Sequence, residues 1–128
     1  MKRVTGIGGI FFKGSNVKEL NEWYKNHLGI PITEYGSGDF DWRDKDNPEI
    51  IGKTVWSIFS QDTTYFNPGN QSFMLNYRVE NLDELLKLLI EEGVKVEDKV
   101  EEYDYGKFGW IYDPDGNKIE LWEPPKGS

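Results

Sequence analysis

The sequence predicts an α+β fold made of two βαβββ modules, and three observations predict it: a weak internal repeat, a matched pair of helix caps, and one strong hairpin turn near the end. Laid over itself at an offset of about half its length, the chain sets Asn16 against Asn81 and Gly29 close to Gly93. A chain of 128 residues falls within the size of one domain. The modules, 1–60 and 73–128 joined by a connection at 61–72, are therefore expected to form one structural unit.

The first element is a strand, since Val4 to Lys13 is β-rich. Its Gly6, Gly8 and Gly9 either admit a ligand or bulky neighbour close to the backbone or mark a bulge. A helix follows. Asn16 can cap a free backbone N–H while Glu19 reaches back, and Val17, Leu20, Trp23, Tyr24 and Leu28 recur at helical spacing on one face to be buried. Gly29 ends it, because glycine reaches the left-handed conformation without steric cost. Phe40 to Arg43 and Thr54 to Phe59 read as the next strands.

Residues 61–72, with Asn67-Pro68-Gly69-Asn70, are polar and broken. Phe73 to Val79 then opens the second module, Asn81 and Glu84 repeat the cap, and Leu82, Leu85, Leu86 and Leu89 repeat the helical stripe up to Gly93. Phe108 to Tyr112 and Lys118 to Trp122 are strands joined by Asp113-Pro114-Asp115-Gly116-Asn117, where Pro presets φ and Gly supplies a positive φ. The order is β-α-β-β-β twice. A ferredoxin-like α+β sandwich is the alternative, and the repeat disfavours it.

Composition excludes several function classes. A formal charge of −8 argues against nucleic acid, whose binding needs clustered Lys and Arg, and suits either solubility or attraction of a cationic ligand. No apolar run approaches a membrane span, the start leads into a strand rather than a signal sequence, and a cytoplasmic location is expected. With no cysteine, disulfides, thiolate metal sites and cysteine nucleophiles are excluded.

Two segments resemble one family. Trp23-Tyr24-Lys25-Asn26-His27-Leu28-Gly29 is similar to the F/W-Y-x-x-x-L-G signature ending the first helix of vicinal oxygen chelate proteins, the glyoxalase, bleomycin-resistance and extradiol-dioxygenase superfamily. Asp113 to Leu121 resembles their final hairpin, DPDGN-x-[IV]-E-L. The resemblance implies a curved mixed sheet with a cleft, homodimeric assembly, and a metal held by one side chain from the first and last strand of each module. It places those four positions at Gly8 or Gly9, Trp56 or Ser57, Met74, and Glu120. Glu120 alone has a ligand side chain, so no metal site and no cofactor are expected; a divalent ion stays open only if the strand registers differ. His27 falls on the helix, at no ligand position.

Alternation along strands puts Met74, Asn76 and Arg78 on the face of those positions, with Phe108, Trp110, Tyr112, Lys118 and Trp122 beside Glu120 and Trp56 joining from the first module. Trp56, Met74, Asn76, Arg78, Trp110, Tyr112 and Trp122 are the candidate ligand-binding residues, against the plainer reading of the aromatics as core. Glu120, desolvated mid-strand, is the candidate catalytic base, against a structural role paired with Arg78 or Lys118. Tyr103 and Tyr105 could stack on a ligand at the mouth. The expected function is binding of a small organic molecule in an aromatic cleft without the family's metal. The alternatives are a lyase or isomerase using Glu120, or a metal-dependent glyoxalase or dioxygenase if the ligand positions are misplaced.

Overall fold

Both helices begin where the paired Asn and Glu residues stand. The computed structural model describes residues 2–127. In chain order the elements are β1 (Val4–Gly14), α1 (Val17–Leu28), β2 (Ser37–Arg43), β3 (Ile51–Ser60), β4 (Phe73–Val79), α2 (Leu82–Glu91), β5 (Lys95–Val96), β6 (Glu101–Tyr103), β7 (Gly106–Tyr112) and β8 (Lys118–Glu123). Asn16 Oδ1 and Asn81 Oδ1 each accept the backbone N–H three residues on, at 3.1 Å. The glutamates reach back to the Asn side-chain amides rather than to the backbone. Gly29 (φ 66°) and Gly93 (φ 84°) take the left-handed conformation that ends each helix.

The strands form one curved sheet in the order β2-β3-β1-β4-β8-β7-β5, with β6 pairing β7. β1 runs parallel to β3, β4 runs parallel to β8, and the central β1/β4 join is antiparallel. The two modules therefore meet as reversed copies at the middle of the sheet. In the first, the strand equivalent to β5 shrinks to a single bridge between Ile32 and Gly38. Pro31, which has no N–H to donate, stands just before it.

The larger core lies between α2 and the sheet: Leu82, Leu85 and Leu86 pack on Val79 and Leu121. Helix α1 corrects the expectation that both helices bury a face. None of its residues is fully buried, and Trp23 and Leu28 of the predicted stripe are exposed. It touches the sheet chiefly through Tyr24, whose ring lies 5.0 Å from Trp56 and 5.8 Å from Phe12. Those two residues thus face the helix side. Among the described residues no helix is long and apolar enough to cross a membrane.

The opposite, concave side holds a second cluster of Phe11, Phe66, Met74 and Trp110. Phe66 comes from the segment between β3 and β4, and it is wholly buried. The glycines of β1 serve both uses expected of them. Register shifts occur at Val4/Gly6 and Ile7/Gly9, and a Cβ on Gly6 would lie 2.5 Å from the Trp42 ring while one on Gly8 would lie 2.1 Å from Asn76 Oδ1.

Candidate functional site

Glu120 stands mid-strand on β8, and the register sets Asn76 of β4 on one side of it and Trp110 of β7 on the other. Both donate to its carboxylate: Asn76 Nδ2 to Oε1 at 2.7 Å and Trp110 Nε1 to Oε2 at 3.2 Å. A third donor arrives from the connecting loop, where the Tyr65 hydroxyl reaches Oε2 at 2.5 Å. Glu120 is only 3% exposed. Burial pushes its carboxyl up, and the three hydrogen bonds pull the other way without overcoming it. The Tyr65 phenol is also pushed up, by burial first and by Glu120 second, so Tyr65 remains the donor.

The carboxylate lines a cavity of about 310 Å³. Phe11 and Phe59 form its first-module side, Tyr65 its loop side, and Tyr103, Tyr105 and Phe108 its second-module side. The rings are ordered into stacks: Tyr65 on Phe59 at 5.6 Å and Tyr105 on Tyr103 at 5.1 Å. Glu101 also lines the cavity, where it accepts the Tyr103 hydroxyl and pairs with Lys99 at 2.5 Å. Lys118 secures the loop by donating to the Tyr65 carbonyl at 2.9 Å, its ammonium over the Tyr65 and Trp110 rings. Partial burial lowers its pKa.

The expected site residues separate into distinct places. Asn76 and Trp110 hold Glu120, as just described. Met74 lies on the same face but is sealed beneath Phe66 in the concave cluster. Trp56 is a correction: β1 pairs Gly9 with Val55 and Phe11 with Ser57, so Val55 and Ser57 face the cleft and Trp56 turns toward α1. Tyr112 donates its hydroxyl to Glu97 at the β5 edge, under the Lys95 ammonium. Of the two ionic partners expected for Glu120, Lys118 lies close enough for mutual charge attraction without a hydrogen bond, while Arg78 stands at the Trp42 and Trp122 rings.

Arg78 belongs to a neighbouring pocket, with Trp122 beside it. The Arg78 guanidinium sits 5.7 Å from the Trp42 ring and 5.8 Å from the Trp122 ring, and it lines a space of about 320 Å³ with Trp42, Asp44 and residues 124–127. Trp122 stacks on Phe108 at 6.2 Å and donates Nε1 to the Tyr105 carbonyl. Its ring thus meets one lining residue of each pocket, Phe108 of the first and Arg78 of the second.

Sequence reasoning missed Tyr65, Phe11, Phe59 and Glu101. For Tyr65 the available signal was the aromatic pair Tyr65-Phe66 inside an otherwise polar connection. Tyr103, Tyr105 and Phe108 stand where expected, beside the cavity.

The row that crosses the four central strands at Glu120 reads Val55, Gly9, Asn76, Glu120. It offers one carboxylate and one carboxamide, already bonded to each other, and two residues with no donor atom. Among the described residues there is no group of three or more His, Cys, Asp or Glu that could hold a metal ion. These residues do not fit the divalent centre that the family resemblance implies.

Comparisons with known proteins agree on the fold. The family model described as "Glyoxalase/Bleomycin resistance protein/Dioxygenase superfamily" matches residues 10–121. An uncharacterized protein, YraH, of Bacillus subtilis (strain 168) is 28% identical over 117 residues, 85% of this chain and 91% of its own. Among solved structures, methylmalonyl-CoA epimerase from Mycobacterium tuberculosis superposes with a TM-score of 0.67 at 18% identity, over 98% of this chain and 91% of its own. A glyoxalase/bleomycin resistance protein/dioxygenase superfamily member from Vibrio splendidus 12B01 gives 0.57 at 10% identity, over 91% and 97%.

Proposed function

The chain belongs to the glyoxalase/bleomycin resistance protein/dioxygenase superfamily, and from that footing we propose that it is a binding protein: it sequesters a planar organic cation in its aromatic cleft, anchored by Glu120, without the family's metal. The observation that carries this reading is the buried Glu120 carboxylate at a cavity whose other walls are six aromatic rings and the Glu101 carboxylate. Ring faces attract a cation within about 6 Å, worth roughly 0.5–2 kcal/mol each as the site dries. The carboxylate, partly desolvated, attracts the same charge more strongly than it would in water. A net charge of −8 raises the local concentration of cations around the mouth.

A cytoplasmic location and a homodimer belong to the same proposal. The apolar surface a second copy would cover is the exposed group Ile7, Ile10 and Phe73 on the helix side of β1 and β4. The test is quenching of the tryptophan fluorescence by a panel of planar cations and their neutral isosteres. Cations should bind the wild type and bind Glu120→Gln at least about tenfold more weakly, as expected when a hydrogen bond to a charged group is lost. Equal affinity for charged and neutral ligands would refute the reading.

One observation favours a second reading. A buried carboxyl with a raised pKa is suited to proton transfer, as in a lyase or isomerase that uses Glu120 as base with Asn76 positioning it. Turnover of a bound ligand by the wild type, lost in Glu120→Gln, would favour it over sequestration.

A further inference from the structure

Resting on the cation-binding reading above, we infer that Trp122 is a positioning residue for the cleft: from outside the cavity it holds the tip of the β6–β7 hairpin, so that Tyr103 and Tyr105 form a wall before a ligand arrives. Both tyrosines line the cavity with Glu120, yet they are 46% and 61% exposed, so burial does little to fix them. β6 has three residues and pairs with β7, and a two-stranded ribbon is marginal by itself. The Tyr103 hydroxyl bonds Glu101 within the same ribbon, and the two rings lean on each other and on Phe108. The hold from another strand comes from β8, where Trp122 Nε1 donates to the Tyr105 carbonyl at 2.9 Å.

Trp122 can serve as a fixed point because three other strands fix it. Its ring lies 6.2 Å from that of Phe108 on β7, at an interplanar angle of 7°, and the Arg78 guanidinium of β4 sits 5.8 Å from it. β1 comes so close that a Cβ on Gly8 would stand 3.0 Å from Trp122 Cε3. The hairpin tip is fitted to the indole as tightly. Gly106 has a φ of 129°, and a Cβ there would lie 2.4 Å from Trp122 Nε1 and 2.5 Å from the Glu123 carbonyl oxygen. The cavity lining reaches Phe108 and does not include Trp122, so the indole acts through Tyr105 rather than by touching a ligand. A wall already in place spares the ligand the cost of ordering it.

The experiment is a double-mutant cycle, read as the dissociation constant of N,N-dimethyl-2-naphthylmethylamine by calorimetry at pH 7.5. Trp122→Phe keeps a ring beside Phe108 but removes the N–H, and it should weaken binding about three- to tenfold, the range of one hydrogen bond. Tyr105→Ala should weaken binding as well, since it takes away part of the wall. In the Tyr105→Ala background, Trp122→Phe should then cost less than about twofold, because residues that act through one another do not add. Gly106→Ala reaches the same tip from β7 and should show the same dependence on Tyr105, which keeps the test usable if one variant folds poorly. A merely structural role for Trp122 would cost as much affinity without Tyr105 as with it. That result, or an affinity unchanged in both Trp122→Phe and Gly106→Ala, overturns the positioning role while leaving cation binding standing. No binding by the wild type overturns the cation-binding reading itself.

Discussion

Glu120 takes hydrogen bonds from three neutral donors, and its titration is the clearest handle on the site. Burial raises its carboxyl above the unfolded value, so the folded chain holds that proton more tightly than the unfolded chain. Below the unfolded pKa both states are protonated; as pH rises from there through the raised folded value, the native state takes on a buried charge and loses stability. Glu120→Gln should thus melt progressively higher relative to wild type as pH rises out of the ordinary carboxylate range, a trend read from paired thermal melts. The Gln carboxamide can be accommodated because turning the Asn76 amide offers it Oδ1, a buried atom that has no protein partner as it stands. Cation binding should show the converse, weakening on acidification already above the ordinary carboxylate range, as followed by fluorescence titration of a ligand that stays charged throughout. Gly8 is the other residue with a sharp expectation. A Cβ there meets Asn76 Oδ1 at 2.1 Å, so Gly8→Ala must displace the amide that orients Glu120 and should cost about 1–3 kcal/mol in urea denaturation.

At the scale of elements, the loop between β3 and β4 is as much a part of the cleft as any strand. Phe66 fills the concave cluster and Tyr65 reaches Glu120, with Lys118 and Gln71 tying the segment to β8. Phe66→Ala should cost about 3–5 kcal/mol, measured as a shift in the denaturation midpoint, because it empties a fully buried position over Met74. The two helix caps should differ although their geometry is the same. Asn81→Ala should cost about 1 kcal/mol, since α2 anchors the main core, whereas Asn16→Ala should cost less, since α1 buries no residue and its fraying loses little packing. The elements themselves were legible because their signals are local: an Asn with a Glu three residues on, a glycine where φ turns positive, and Asp113-Pro114-Asp115-Gly116-Asn117 between two β-rich runs. The exposed face of α1 was not, because helical spacing marks a stripe without saying how much of it meets the sheet.

At the scale of the whole molecule, the antiparallel β1/β4 join brings both modules into one sheet, and both modules line the cavity at Glu120. One ligand per chain is expected whatever the assembly state, checked by calorimetric stoichiometry across a dilution series followed by sedimentation. How much of the site could be read beforehand follows from the same topology. Alternation along β4, β7 and β8 correctly grouped Asn76, Trp110 and Glu120, whose registers adjoin. It failed for Trp56, because the face of β3 depends on where its parallel pairing with β1 begins, and a shift of one residue reverses every side chain. It could not find Tyr65, because a loop docking across 55 positions of sequence leaves no periodic trace. The central claim is that Glu120 anchors a cation in the aromatic cleft. Calorimetric titration of N,N-dimethyl-2-naphthylmethylamine into wild type and Glu120→Gln at pH 7.5 tests it most directly: one-to-one binding to the wild type that weakens about tenfold or more in the variant is predicted, and equal affinity for the two proteins would contradict it.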